Sequence, residues 1–225
     1  MEKAKIHNVI ILDRSGSMES IRRQAVSGVN ETVQAIRHAQ EKDPMQENTL
    51  TLVAFCSCSM QTIYDDAPIG LVEPLALEDY QPCCATPLLD AIGTTVIHVH
   101  NLTAGRPRTA VAVTVITDGY ENASREFSGK DIKALIDARK KEGWLFSYIG
   151  ANQDVKAVGR QMSIDNTLSF ECSCTGTEVM FRKERNARRG WLDKLSKLND
   201  INLTEAERME IKRESSTNYF DLTEL

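Results

Sequence analysis

The N-terminus of this sequence has no long hydrophobic run. Its apolar segment Val9–Leu12 is too short for the core of a signal peptide or for a membrane span. Neither export nor membrane insertion is expected, and the predicted location is cytoplasmic. Positive charge is not in excess either, since the formal net charge is -5. A nucleic-acid partner is therefore not expected.

The composition is that of an ordinary folded protein. The chain has 225 residues, of which 41% are hydrophobic and 26% are charged. These values differ from those of disordered and membrane proteins. The length fits one domain, predicted over residues 1–198. The residues from 199 to 225 are polar and acidic, and they are predicted to form a tail.

Strand and helix patterns alternate along the chain. The predicted strands are Val9–Leu12, Thr49–Phe55, Met60–Tyr64, Ala110–Thr117, Trp144–Ile149 and Thr167–Phe170. The predicted helices are Glu19–Gln40, Thr86–Asn101, Ser128–Lys141, Asp154–Met162 and a last one starting with the capping-box spacing at Thr175. This order predicts an α/β fold with a doubly wound, mainly parallel sheet covered by helices on both faces. The second and third strands predict a hairpin, which makes one edge strand antiparallel.

Oxygen-bearing side chains follow two of these strands. Asp13, Ser15 and Ser17 alternate in the loop after the first strand, and Asp118 follows the strand Ala110–Thr117. The carboxyl ends of parallel strands meet at one edge of a sheet, so these oxygens are expected to converge. Hard oxygen donors of this kind suit Mg²⁺. The alternative is that both segments are only turns.

The segment Asp13–Ser17 resembles the Asp-x-Ser-x-Ser signature of the metal-ion-dependent adhesion site in the von Willebrand factor A (vWA) family. Thr86 and Asp118 follow in the family's order. The resemblance covers about residues 7 to 198 and implies a Rossmann-like vWA fold of the bacterial intracellular type. It also implies a site for Mg²⁺ or Mn²⁺, contacted by Ser15, Ser17 and Thr86 and held by Asp13 and Asp118 mostly through water.

The threonine loop departs from the family pattern. Related sequences often have glycine two residues before the threonine, where this chain has Cys84. Glycine at that position favours unusual backbone angles. Whether Thr86 contacts the cation directly stays open, and its alternative role is that of a helix N-cap. Asp90 is interpreted as a favourable charge near a helix start.

Six cysteines occur in three close pairs, Cys56 and Cys58, Cys83 and Cys84, and Cys172 and Cys174. Free, reduced thiols are expected in a cytoplasmic chain of this size. If the strand order is that of the family, the first two pairs lie on one rim of the sheet. The alternative to free thiols is that these four cysteines bind zinc as thiolates. Their spacing is a poor match to common zinc motifs. The third pair is expected near the opposite edge.

The expected function is that of a cation-dependent protein-binding module, in which a partner protein supplies an Asp or Glu carboxylate. The resemblance also indicates a subunit or adaptor of a larger intracellular assembly. The predicted loop contacts are Arg14, Met18, Tyr120 and Glu121. The basic stretch 182–197 is interpreted as a solvated helix face.

The alternative is a metal-dependent phosphohydrolase with Asp13 as its nucleophile. Such enzymes need a second carboxylate two residues later, where this chain has Ser15. The sequence also contains no glycine-rich phosphate loop. No enzymatic activity is therefore expected.

Overall fold

The computed structural model describes residues 3–106 and 108–220 of the chain. The strands are β1 (Ala4–Asp13), β2 (Gln46–Cys56), β3 (Ser59–Pro68), β4 (Thr109–Thr117), β5 (Leu145–Ala151) and β6 (Asn166–Phe170). The helices are α1 (Arg22–Lys42), α2 (Leu88–Thr103), α3 (Gly129–Lys141), α4 (Val155–Gln161), α5 (Cys174–Leu195) and α6 (Glu205–Ser215). Short 3₁₀ turns occupy Gly16–Ile21, Ile69–Leu71, Leu77–Asp79 and Ser196–Asn199.

The strands form one sheet in the order β3-β2-β1-β4-β5-β6. β3 runs antiparallel to β2 at the edge, and the other neighbouring pairs are parallel. The predicted fold class is therefore confirmed. β1 and β4 lie in the middle of the sheet, and all nine residues of β4 are buried. Cover on both faces explains why these strands have continuous apolar runs rather than alternation.

Helices cover both faces of the sheet. Side chains alternate along β1, so Ile10 and Leu12 belong to the core under α1 and α5, while Val9 and Ile11 belong to the core under α2 and α3. These four residues have at most 2% exposure. Burial of an aliphatic side chain of this size contributes about 1.5–3 kcal/mol. Both cores thus fix β1 in the position from which the loop after Asp13 leaves the sheet.

Helix α5 begins slightly earlier than the sequence pattern predicted. Its N-cap is Ser173, whose side chain accepts a hydrogen bond from the Gly176 backbone N–H at 3.1 Å. The predicted cap, Thr175, already lies inside the helix. The spacing of Thr175 and Glu178 fitted a capping box, but Ser173 is extended and satisfies the free amide first.

The interpretation of 182–197 as a solvated helix face was wrong at Arg188. This guanidinium is fully buried between α5 and the sheet. It donates to Glu184 on the same helix at 2.7 Å and to Asn8 and Thr114 at 2.8 Å each. The ion pair with Glu184 and the two polar strand residues offset the cost of burying the charge.

The segment after residue 199 contacts the same core. Helix α6 packs on α5, and Tyr219 is fully buried, with its hydroxyl donating to Glu184 at 3.2 Å. The division at residue 198 stays a prediction. Among the described residues, no helix combines the length and the apolar character needed to cross a bilayer.

Candidate metal centre at the carboxyl ends of β1 and β4

The predicted site lies where the sheet order reverses. β1 is followed in sequence by β2 on one side of it, while β4 lies on its other side and leads to β5. Connections that leave two adjacent parallel strands in opposite directions open a crevice at their carboxyl ends. Asp13 is the last residue of β1, and Asp118 directly follows β4. Both carboxylates therefore lie at this crevice.

Four of the five predicted residues are joined by hydrogen bonds. The Asp13 carboxylate accepts from the Ser15 backbone N–H at 2.7 Å. The hydroxyl oxygens of Ser15 and Ser17 are 3.2 Å apart, and the Ser17 hydroxyl donates to Asp118 Oδ1 at 2.6 Å. Neighbouring ligands on an octahedral Mg²⁺ with bonds of 2.1 Å are about 3.0 Å apart. The 3.2 Å between the Ser15 and Ser17 hydroxyl oxygens is close to that spacing, and the Asp118 carboxylate lies next to them.

Thr86 approaches the same point from the loop before α2. A Cβ atom built on Gly119 would lie 3.4 Å from Thr86 Oγ1 and 3.7 Å from Ser17 Oγ. Both hydroxyls thus face the space left by the missing side chain of Gly119. The N-cap interpretation of Thr86 was wrong: α2 begins at Leu88, and Pro87 occupies the cap position without a side-chain cap. Pro87 has a ψ of 66°, which lies outside the helical range, so the helix starts after it.

A backbone clamp that sequence reasoning missed holds Thr86 in place. Asn122, in the loop after β4, accepts from the Thr86 N–H at 2.8 Å through its side chain. Its own N–H donates to the Thr86 carbonyl at 3.1 Å. Asn122 stands five residues after Thr117 in a polar loop, a position with no periodic pattern to mark it.

Burial sets the charge balance of the site. Asp13 is fully buried, and burial raises the pKa of its carboxyl to about 6, although hydrogen bonds from Thr117 and Ser15 oppose the shift. The charge of Asp118 raises the pKa of Asp13 further. The Thr117 hydroxyl donates to Asp13 Oδ2 at 2.6 Å. A cation beside these two carboxylates would favour the ionised form of Asp13.

Two of the four predicted loop contacts were wrong. Met18 is fully buried in the 3₁₀ turn after Ser15, and Arg14 is only 9% exposed because its side chain turns towards Gln61 and Ser59 of β3. Neither side chain is exposed on the surface of the loop. Tyr120 is 56% exposed beside Gly119 and fits the prediction.

Two carboxylates organise the loop after β4. Glu121 accepts from the backbone of Leu89, Ala123 and Ser124. Asp90 accepts backbone hydrogen bonds from residues 125, 126 and 127 at 2.8 to 2.9 Å. Although partial burial would raise the pKa of Asp90, these bonds lower it overall. Both acids thus hold the loop after β4 against the start of α2.

No protein-family model matches the sequence, and no curated protein matches it. Solved structures do. Proximal thread matrix protein 1 from the mussel byssus is 12% identical, with a TM-score of 0.56 over 88% of this chain and 47% of that chain. The vWF domain of the type V pili tip protein Mfa5 from Porphyromonas gingivalis is 8% identical, with a TM-score of 0.54 over 80% of this chain and 95% of that chain.

The SpRpn10 VWA domain is 14% identical, with a TM-score of 0.52 over 79% of this chain and 94% of that chain. The fold is vWA-like. Identities this low show the fold alone. The chain spans about half the length of the mussel protein and nearly all of the Mfa5 and SpRpn10 domains.

The vWA-like fold brings four cysteines together beside the candidate centre. Cys58, in the β2–β3 turn, is disulfide-bonded to Cys84 in the threonine loop. The expectation that all thiols are free was therefore wrong for this pair. The turn lies directly against the threonine loop, since the Ser57 N–H donates to the Ala85 carbonyl at 2.9 Å. Cys84 has a φ of 61°, the left-handed conformation that favours glycine.

The remaining cysteines on this rim also interact. The sulfur atoms of Cys56 and Cys83 are 3.1 Å apart. Burial would raise the pKa of the Cys56 thiol, but hydrogen bonds from Cys83, from the backbone of Ser59 and Cys58 and from Arg14 lower it overall.

Cys172 lies at the candidate centre, which was not predicted. Its thiol is 3.6 Å from Asp118 Oδ2 and 3.7 Å from the Ser20 hydroxyl. It follows β6, the edge strand opposite β3, and its loop turns back along the carboxyl ends of the strands to Asp118. In the sequence, only its position after a predicted strand pointed to the carboxyl ends of the sheet. The course of the loop beyond β6 does not follow from local sequence patterns.

Proposed function

We propose that this chain binds Mg²⁺ or Mn²⁺ at the candidate centre and uses the cation to bind a partner protein through an Asp or Glu carboxylate. Ser15, Ser17 and Thr86 would contact the ion, and Asp13 and Asp118 would hold it mostly through water. The observation that supports this proposal is the 3.2 Å spacing of the Ser15 and Ser17 hydroxyl oxygens, which suits two direct ligands of an octahedral cation, with the Asp118 carboxylate next to them. The resemblance of Asp13–Ser17 to the metal-ion-dependent adhesion site adds to it.

The neutral hydroxyls explain why a partner carboxylate is expected. Hydroxyl ligands are neutral and do not cancel the charge of a divalent cation, so the bound cation would still attract an anion. A carboxylate could replace a water molecule in its coordination shell. A carboxylate there gains a charge-assisted contact that also gives the interface orientation. Gly119 places no side chain next to the Thr86 and Ser17 hydroxyls, and the exposed Tyr120 beside it offers an aromatic contact of the kind enriched in interfaces.

Two of the structurally similar proteins are a pilus tip protein and a pilus adhesin, which supports a binding role. For this chain we propose a cytoplasmic setting, as a subunit or adaptor of a larger assembly.

The first experiment measures the cation itself. Calorimetric titration of the full chain with MnCl₂ is expected to show one site in wild type and none in Ser15→Ala or Asp118→Ala. Ser27→Ala, an exposed serine on α1, is the matched control and should bind like wild type. Equal binding in all four proteins would place the cation elsewhere.

The second experiment tests the carboxylate. A partner captured in Mg²⁺ and eluted with EDTA is identified, and its surface Asp and Glu residues are changed one at a time to Asn and Gln. One such change, and Ser15→Ala in this chain, should each weaken binding at least about tenfold, or 1.4 kcal/mol. If EDTA and Ser15→Ala leave the affinity unchanged, the partner surface lies away from the centre.

The phosphohydrolase alternative finds less support in the geometry. A nucleophilic carboxylate must present a free oxygen to phosphorus, whereas Asp13 is fully buried and its two oxygens accept from Ser15 and Thr117. We therefore expect no hydrolysis of p-nitrophenyl phosphate with Mg²⁺ or Mn²⁺. Turnover that disappears in Asp13→Asn would overturn this expectation.

A further inference from the structure

A cluster of potential metal ligands of a second kind lies on the rim beside β2 and β3, next to the candidate oxygen site. The sulfur atoms of Cys56, Cys58 and Cys83 all lie within 4.8 Å of one another. Cys84 is bonded to Cys58, so its sulfur joins the same cluster. Two structural segments supply the four sulfurs: the end of β2 with the following turn, and the threonine loop.

The geometry points to a thiolate site for one zinc ion. We propose that, once the Cys58–Cys84 bond is reduced, Cys56, Cys58, Cys83 and Cys84 bind a single Zn²⁺. Ligands of a tetrahedral zinc with Zn–S bonds of 2.3 Å are about 3.8 Å apart. The sulfurs of Cys56 and Cys83, now 3.1 Å apart, need to separate by less than 1 Å to reach that spacing.

The surroundings of the cluster suit a charged thiolate centre. The Arg14 guanidinium lies 3.9 Å from Cys56 Sγ and is held there by Gln61 and Ser59. Four thiolates around Zn²⁺ carry a net charge of about -2, which a fixed neighbouring cation offsets. Cys58 and Cys84 are exposed, so an ion has direct access.

Zinc and the disulfide exclude each other, because the bond occupies two of the four ligands. A dithiol reductant converts Cys58–Cys84 into two thiols and is itself oxidised to a cyclic disulfide. Zinc then displaces the four thiol protons. Either state ties the β2–β3 turn to the threonine loop, two residues before Thr86.

The test uses the full chain, reduced with a dithiol, freed of reductant under anaerobic conditions and titrated with ZnCl₂ against a chelating indicator. One zinc should bind with a Kd of about 1 nM or tighter. Co²⁺ in its place should give the near-ultraviolet charge-transfer absorption that only thiolate ligands produce. Asp118→Ala should retain both signals, which separates this site from the proposed oxygen site.

Cys83→Ser removes one ligand and leaves the Cys58–Cys84 bond intact in the oxidised protein, so a failure to fold is not expected. It should weaken zinc binding at least about a hundredfold, while the exposed Cys174→Ser control binds like wild type. The proposal is overturned if the reduced wild type binds no zinc. It is equally overturned if Cys83→Ser and Cys174→Ser bind zinc alike, or if the cobalt absorption is absent.

Discussion

Replacing Asp13 by Asn should stabilise the cation-free protein at neutral pH. Burial raises the pKa of this carboxyl from its ordinary value of 3.8 to about 6. One pKa unit corresponds to about 1.4 kcal/mol, so the ionised carboxylate lowers the free energy of unfolding by about 3 kcal/mol at pH 7. Asn removes that charge. It weakens one of the hydrogen bonds from Ser15 and Thr117, at a cost of about 1 kcal/mol. The net gain is therefore about 2 kcal/mol.

The pH dependence of this gain follows from the direction of the shift. Between pH 3.8 and about 6 the unfolded chain has lost the Asp13 proton while the folded chain keeps it. Stability therefore falls as pH rises through this window and then levels off. The advantage of Asp13→Asn should be present at pH 7 and absent at pH 4.

Urea denaturation in EDTA measures the stability difference between Asp13→Asn and wild type at pH 7 and at pH 4. Asp79→Asn, an exposed aspartate in a 3₁₀ turn, is the control and should change stability by less than about 0.5 kcal/mol. With 1 mM Mg²⁺ and a cation affinity near 100 µM, the advantage of the variant should shrink by about 1.4 kcal/mol, because wild type gains the cation and the variant does not. If Asp13→Asn is less stable than wild type in EDTA at pH 7, the buried charge of Asp13 does not lower the free energy of unfolding and the reasoning is refuted.

Three further predictions concern stability. If the cation affinity is near 100 µM, then about 1 mM Mg²⁺ or Mn²⁺ should add about 1.4 kcal/mol, and a melting curve identical to that in EDTA would count against the site. Burial lowers the pKa of His7 to about 4, so wild type should lose about 3 kcal/mol more than His7→Gln between pH 6.5 and pH 4; parallel pH profiles would contradict this. Arg188→Met leaves the Glu184 carboxylate buried without its cation and should cost about 3–5 kcal/mol in urea denaturation, and adding Glu184→Leu should recover most of that loss.

The central strands and the site residues were predictable for the same reason. A continuous apolar run that stops abruptly at aspartate, as at Asp13 and Asp118, marks both a buried parallel strand and its carboxyl end, where ligand sites of open α/β sheets lie. The sheet order followed from the family resemblance. It placed Ser15, Ser17 and Thr86 near one another before any distance was known, and the structure does bring them together.

The wrong predictions concern burial and contacts between distant segments, which local sequence patterns do not reveal. Loop sequence does not reveal that Met18 points inward or that Arg14 turns towards β3, because burial depends on which element lies behind the loop. The charge of Arg188 suggested solvent exposure, while Glu184, on the same helix, provides its buried partner. Free thiols were expected because the chain was predicted to be cytoplasmic. That expectation did not consider the direct contact between the β2–β3 turn and the threonine loop, which brings Cys58 to Cys84.

Cys84 occupies a backbone conformation that glycine adopts without strain. At a φ of 61°, a residue with a Cβ atom costs about 1 kcal/mol relative to glycine. A stabilising contribution from its sulfur would offset that cost, and the structure shows the sulfur joined to Cys58.

Cys84→Gly should therefore be as stable as wild type, or up to about 1 kcal/mol more stable, when both are reduced and free of zinc. When oxidised, wild type should be the more stable of the two, because its Cys58–Cys84 bond closes a loop of 26 residues and such links contribute about 2–4 kcal/mol. Urea denaturation with and without a dithiol measures this reversal. A variant that is less stable than wild type even when reduced would mean that the Cys84 side chain stabilises the threonine loop by packing rather than through its sulfur bond.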